Sequence, residues 1–252
     1  NSDKTGTLTM NQMMVSTLYA SGSWFNVEGE GYRKSGRITS VAGLPVPDFT
    51  RLALGLSLDS DAVVQDDGTV IGDPTEAALV VLAAKLGVDA EETRRTYPRL
   101  AEVPFDSEYK FMATFHRVQV DGVEHVIELV KGAPDVVLAR CSQAGGPLSG
   151  SQFPIDEARV GIDAANERMG ESGLRVLAFA ARLIGGDEMQ IMEKDPMSLT
   201  RDLSFVGMAG IIDPLRAAAK DAVGTALTAG IDFRMITGDH AVTARAIGES
   251  LG

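Results

Sequence analysis

The spacing of apolar and polar positions divides the chain into stretches of different character. Short β-prone runs at 14–19 and 23–27, with glycines at 22, 29, 31, 36 and 43, predict hairpins and turns. Trp24 and Phe25 fall in the second run, where aromatics pack as strand or core residues. The apolar run 49–58 predicts a helix, and the Asp- and Gly-rich stretch 59–68 a loop. A second helix opens at Gly72-Asp73-Pro74-Thr75-Glu76, with Asp73 as N-cap, Pro74 at the first helical position and Glu76 at the third. Its apolar residues, 77–86, run almost all the way round, so it is expected to be buried. Three antiparallel strands are predicted at 100–105, 110–118 and 123–131, the last two joined by a tight turn at Asp121-Gly122. A helix is expected from Pro134 to Cys141, a loop at 144–150, a helix at 155–170 and a central strand at 174–183. Residues 184–202, rich in Asp, Glu and Met, read as a surface loop. The last fifty residues alternate strand 203–212, helix 217–229, strand 231–236 and helix 241–251, which predicts a parallel βαβα unit with a right-handed crossover.

Composition narrows the class. With 252 residues, 44% of them hydrophobic, the chain is large enough for a substantial core, expected as two domains. A net charge of −12 argues against binding nucleic acid or an anionic membrane through general electrostatics. A nucleotide site would need a local positive patch against that field. The single cysteine, Cys141, allows no internal disulfide and fits a reducing setting. No apolar run approaches the ~18 residues of a membrane-spanning helix, and the start has no signal-peptide core.

The chemistry concentrates at Asp3-Lys4-Thr5-Gly6-Thr7-Leu8-Thr9. The aspartate is a candidate nucleophile that would form an acyl-phosphate. Lys4 adds a fixed positive charge, and the Thr and Gly residues add hydroxyls and close-approaching N–H groups for phosphate oxygens. Four of these residues alone would read as a capped turn. All seven in order resemble the phosphorylation signature of the P-type ATPases, ion pumps that phosphorylate themselves on that aspartate. By this resemblance Asp3 is the phosphorylated residue, with Lys4 and Thr5 beside it. Such an aspartate sits at the carboxyl end of a parallel strand. Only Asn1 and Ser2 precede it, so the strand that should hold it is expected to be missing, and the sequence reads as an excised piece of a longer polypeptide. Asn1 stands where many members have cysteine.

Further motifs follow in the family's order. GDPTE resembles the nucleotide-domain motif of the type II pumps, in which Glu76 takes the place beside the adenine amino group; locally, capping accounts for it equally well. The stretch from Pro104 to Met112 resembles the family's PF(D/S)S..K.M segment, which implies that Phe105 stacks on adenine and that Lys110 and Met112 lie near the nucleotide. Ser107 stands where some members carry arginine. Lys131-Gly132-Ala133-Pro134 resembles the KGAP motif, with Lys131 lining the adenosine pocket and Gly132 and Ala133 forming its floor. A glycine at that strand-to-helix turn would leave backbone open to a ligand. Arg175 matches the arginine that reaches the phosphates; a strand-edge salt bridge is its local alternative. Asp213-Pro214-Leu215-Arg216 resembles DPPR, with leucine for the second proline, and implies nucleotide contacts by Asp213 and Arg216. Met235-Ile236-Thr237-Gly238-Asp239 resembles MITGD, in which Thr237 and Gly238 hold the transferred phosphoryl and Asp239 completes the catalytic group. His240 reads as an exposed neighbour of the helix start.

The resemblance implies an α/β architecture: an α+β nucleotide-binding domain with an antiparallel sheet at 12–211, inserted into a partial Rossmann-like, haloacid-dehalogenase-type phosphorylation domain at 1–11 and 212–252. It implies ATP as substrate and Mg²⁺ as cofactor, the metal held through Asp3 and Thr5, and a cytoplasmic position in an integral membrane pump. The partners implied are the rest of that pump: its transmembrane and actuator domains and the remainder of the phosphorylation domain. Calcium is the ion implied by the type II branch, bound outside this chain. Two other classes are a soluble aspartate-nucleophile phosphatase and a non-catalytic nucleotide-binding module. Thr5 stands where such phosphatases usually carry their acid/base aspartate, which favours a long-lived phosphoenzyme. Because the sequence stops before the family's later lysine and GDGxND motif, the isolated chain is expected to bind ATP without turnover.

Overall fold

In the computed structural model, which describes residues 1–120, 122–147, 151–237 and 241–251, the chain opens with a two-residue strand, β1 (Ser2–Asp3), and one wide helical turn, Lys4–Leu8. The alternating run that follows forms a hairpin, β2 (Met14–Ala20) and β3 (Ser23–Val27), continued by β4 (Ile38–Ser40). Its two turn residues, Ser21 and Gly22, both take positive φ (52° and 69°), the conformation that matches the twist of the strands. Tyr19 and Trp24 face each other across the hairpin edge-to-face at 5.3 Å.

Helix α1 (Thr50–Leu58) leads into a loop that holds a small ribbon, β5 (Val63–Val64) with β6 (Val70–Ile71), where only loop was expected. Helix α2 (Pro74–Lys85) is capped by Asp73, whose carboxylate accepts from the N–H groups of Thr75 (2.7 Å) and Glu76 (3.2 Å). It is buried on nearly all sides, as its pattern required. A short α3 (Ala90–Thr96), capped by Asp89, has no counterpart in the sequence pattern; its seven residues are too few and too polar to carry a helical period.

The main sheet is completed by β7 (Arg99–Val103), β8 (Phe111–Val120) and β9 (Val123–Gly132), then, after α4 (Pro134–Leu138), by β10 (Cys141–Ala144) and β11 (Phe153–Pro154). The turn expected at Asp121-Gly122 lies partly outside the described residues, at Asp121. The helix expected to reach Cys141 stops at Leu138, because Cys141 already pairs with the start of a later strand. Helix α5 (Ile155–Glu171) and β12 (Arg175–Ile184) follow. Residues 184–202 are not a surface loop: they hold α6 (Met189–Lys194) between two short 3-10 turns and bury Met192 and Leu199. The scattered apolar residues there reach the core one at a time, which no periodicity reveals.

Strand β13 (Leu203–Ile212) precedes α7 (Ala217–Thr228), β14 (Met235–Ile236) and α8 (Ala241–Leu251). Among the described residues the main sheet runs β4-β3-β2-β13-β12-β9-β8-β7, antiparallel throughout, with β10 joining β13 in parallel where β2 ends. The fold is therefore mixed α/β with an antiparallel sheet. Strand β13 is central here, flanked by β12 and β2, and is not the parallel partner of 231–236 that its position in sequence suggested. Its near-continuous apolar run serves a strand buried on both faces. The partner of β14 is instead β1, in parallel, with Ser2 opposite Met235 and Asp3 opposite Ile236. The strand expected to be missing before Asp3 is Ser2–Asp3 itself; two residues leave no hydrophobic pattern to read.

One face of the sheet packs α1 and α2 around Leu18, Phe25, Phe49, Leu79 and Phe179. The other packs α4, α5 and α6 around Phe111, Phe115, Ile162, Met169 and Met208. A separate small cluster, Leu8, Val223, Ile247 and Leu251, forms under β1 and β14. Leu215, the departure from DPPR, packs against that cluster. No helix among the described residues is long and apolar enough to cross a membrane.

Candidate functional site

The predicted site residues fall into two groups. In the first, Asp3 is exposed at the end of β1, one register step from Thr237, which follows β14. Gly238 and Asp239 lie outside the described residues, as does His240; the backbone of Thr5 is described but its side chain is not. Lys4 is buried. The turn after Asp3 needs a left-handed residue at Gly6 (φ 75°) and closes with the Thr9 N–H donating to the Lys4 carbonyl at 3.1 Å.

Asp213 and Arg216 belong to this group and not to the adenine residues. The Thr9 hydroxyl donates to Asp213 Oδ2 at 2.6 Å, and the Gln12 N–H to Oδ1 at 3.2 Å. The Arg216 guanidinium donates to the carbonyls of Thr9 (2.9 Å) and Gly6 (3.2 Å). Backbone bonds from Met10 to Pro214 and from Arg216 to Leu8 complete the clasp. The D-P-L-R segment thus fixes the loop that carries Asp3.

The second group gathers at the first turn of α2. Lys131, only 7% exposed near the end of β9, points its ammonium at Glu76 Oε1 (3.0 Å), Asp59 Oδ1 (3.6 Å), the Asp59 carbonyl and the Met112 sulfur (2.9 Å). Glu76 does not close a capping box. Its Oε2 accepts the N–H groups of Asp61 (2.8 Å) and Ala62 (3.1 Å) and the Ser60 hydroxyl (3.4 Å), so it organises the loop after α1. Arg175, exposed at the start of β12, spends one nitrogen on the hydroxyl of Thr75, the neighbour of Glu76, at 2.9 Å. It makes that hydrogen bond, and no salt bridge among the described residues.

Phe105 stands on the loop before β8, 61% exposed. That loop is tightly built: the Glu108 N–H donates to Asp106 Oδ1 (2.7 Å), the Lys110 N–H to the Asp106 carbonyl (2.7 Å), and the Tyr109 hydroxyl to the Pro104 carbonyl. Lys110, exposed, turns into β8 with a positive φ of 56°. Its carbonyl accepts the Ala133 N–H at 3.0 Å, and Met112 stands opposite Lys131, so the loop and the KGAP segment form one unit. Gly132 is glycine for an internal reason: a Cβ there would lie 2.6 Å from the Lys110 carbonyl oxygen and from the Phe111 Cβ.

Asp59 falls in the stretch 59–68, which the sequence marks only as a loop. It is buried, accepts from Thr114 at 3.4 Å, and has a carboxyl pushed up to about 7 by burial, with Lys131 pulling it back and Glu76 pushing it further. Nothing in its sequence surroundings separates it from exposed turn aspartates such as Asp66. A cavity of about 910 Å³, lined from α1, α5 and the sheet, counts Lys131, Asp59, Leu52 and Phe179 among its lining; Phe105, Glu76 and Arg175 are not part of that lining.

Comparison with known proteins adds the family. Residues 49–218 match the family described as "P-type ATPase, cytoplasmic domain N". The chain is 39% identical to the "Probable cation-transporting ATPase F" of Mycobacterium tuberculosis, covering 99% of this chain and 27% of that protein. It is 38% identical to the human "Calcium-transporting ATPase type 2C member 1" (100% of this chain, 26% of the relative). To the "Calcium-transporting ATPase 1" of Lactococcus lactis it is 35% identical (99% and 26%). The chain thus spans about a quarter of the length of these curated relatives.

Proposed function

The chain belongs to the cation-transporting P-type ATPases, matching their cytoplasmic N domain, and from that premise we propose that it binds ATP for a membrane cation pump phosphorylated on Asp3. In this reading residues 12–211 form the nucleotide-binding domain and residues 1–11 and 212–252 contribute to the phosphorylation domain. The separate apolar cluster beneath β1 and β14 supports that division. The cation is calcium in this reading, in line with the names of several relatives.

One observation carries the nucleotide site: an aromatic ring left 61% exposed on a loop whose backbone is fixed by its own hydrogen bonds. A free ring on a rigid support is suited to stacking on a base. In this reading Phe105, Lys131 and Glu76 line one pocket for adenine, Lys110 and Met112 lie near the nucleotide, and Gly132 and Ala133 form the pocket floor. Arg175 keeps guanidinium nitrogens beyond the one given to Thr75, so it fits a phosphate.

In the transfer step, an Asp3 carboxylate oxygen attacks the γ-phosphorus, the bond to the β–γ bridging oxygen breaks, and ADP leaves. Lys4 and Thr237 stabilise the charge on the transferred oxygens, with Gly238 and Asp239 completing that group. The exposed carboxylate of Asp3 is open to a metal, and Asp3 with Thr5 would hold Mg²⁺, which neutralises phosphate charge when bound. Among the described residues no cluster of three metal-ligating side chains occurs.

Calorimetric titration with ATP tests the site. Phe105→Ala should weaken binding by the stacking contribution, ~1–3 kcal/mol, or about tenfold or more in Kd. Unchanged affinity in that variant rejects the assignment. Label from γ-labelled ATP that appears on the chain and is lost in Asp3→Asn would identify the nucleophile; no label alongside intact ATP binding would leave the chain as a binding module.

A further inference from the structure

The ammonium of Lys131 faces two carboxyl groups, so the buried cluster holds one cation against two potential anions. The two acids are not equivalent. Glu76 is built as a carboxylate: besides the lysine, it accepts two backbone N–H groups and a hydroxyl. Asp59 is not. Its Oδ1 has the lysine at 3.6 Å and the Thr114 hydroxyl at 3.4 Å, both long, and its Oδ2 is buried with no hydrogen-bond partner among the described residues. An ionised carboxylate so poorly solvated is expensive, and a protonated one costs less. The surrounding charges leave this asymmetry in place. Arg99 on β7 is engaged by Asp61 and Glu102, and Arg94 on α3 by the Ser57 carbonyl and Glu91. His116 on β8 is kept neutral by burial.

We infer that Asp59 is a positioning residue for Lys131, and that nucleotide binding at this lysine is linked to one proton carried by Asp59. The inference rests on the nucleotide reading above. With the proton on, Lys131 and Glu76 balance each other and the cluster is neutral. With the proton off, the cluster carries a net negative charge and repels an incoming polyanion. Binding therefore favours the protonated form and takes up a proton from solution where Asp59 was ionised. Because burial places this titration near neutral pH, the linkage operates in the ordinary working range.

The test is calorimetric titration of the full chain with MgATP at about pH 6, 7 and 8, in two buffers of different ionisation enthalpy, for the wild type and Asp59→Asn. The ligand's own ionisation is common to both proteins and cancels in their ratio. The wild-type affinity relative to Asp59→Asn should fall about threefold or more from pH 6 to 8, with buffer-dependent proton uptake in excess of the variant's. Glu76→Gln leaves one cation with one acid, so its midpoint should move to lower pH. Parallel pH profiles in proteins that both bind would overturn the proton linkage alone. Failure of both to bind ATP at any pH would overturn the nucleotide reading and this inference with it.

Discussion

Lys131 is the residue on which the site depends most, because it is the cation between the buried Asp59 and the partly buried Glu76. Lys131→Met should cost about 3–5 kcal/mol of stability by urea unfolding near pH 8. The loss should shrink near pH 5, where the stranded Asp59 holds a proton. Phe105→Ala is the contrasting case: an exposed ring supports little of the fold, so stability should stay within about 0.5 kcal/mol while ATP binding suffers. His116 and Asp59 set opposing pH dependences. Burial lowers His116 from 6.5 to about 4, so the unfolded chain takes a proton that the folded one refuses, and stability is lost as pH falls through that interval. Asp59, raised from 3.8 to about 7, holds a proton in the folded state, so its contribution is lost as pH rises through its own interval. Between about 4 and 6.5 the two slopes offset each other. Asp59→Asn should therefore lose stability more steeply than the wild type as pH is lowered through this range, seen as a falling urea midpoint.

At the scale of elements, the segment around α6 is tied to the sheet by one arginine. Arg182 on β12 donates from Nε to Glu128 on β9 at 3.0 Å, and from its two terminal nitrogens to Glu188 at 3.0 and 3.1 Å. Glu128 is fully buried, and burial raises its pKa against the pull of this arginine. Arg182→Met would leave that carboxyl unpaired, at about 3–5 kcal/mol. Amide hydrogen exchange should rise first across residues 185–199, because Glu188 also accepts the Gly185 N–H and anchors the turn there. Unchanged exchange in this segment would show that Met192 and Leu199 hold it without the arginine.

Over the whole molecule, the small cluster of Leu8, Val223, Ile247 and Leu251 meets the large sheet at the clasp between residues 6–12 and 213–216. Asp213→Ala removes the acceptor for the buried Thr9 hydroxyl and the Gln12 N–H, so thermal unfolding should gain an earlier transition from the small cluster. ATP at a hundredfold excess over Kd should add about 2.7 kcal/mol to the main transition. It should leave the earlier one in place, since the residues proposed to surround adenine lie on the large sheet, the loop before β8 and α2.

The sequence by itself determined what local pattern encodes. The β2–β3 hairpin follows from two β-prone runs and the glycine between them at 22, the burial of α2 from its all-round apolar surface, and its start from Asp73 and Pro74. The seven residues from Asp3 and the ordered motifs up to MITGD also placed the family correctly. Only the tertiary structure decided partners. A continuous apolar strand such as β13 can be central in either a parallel or an antiparallel sheet, and its hydrophobic pattern is the same in both. A glutamate three residues past an N-cap can cap its helix or, like Glu76, reach a loop and a lysine; the choice depends on distant backbone. The charge state of Asp59 depends on how completely other elements exclude water from it, a property of packing that no neighbouring residue records.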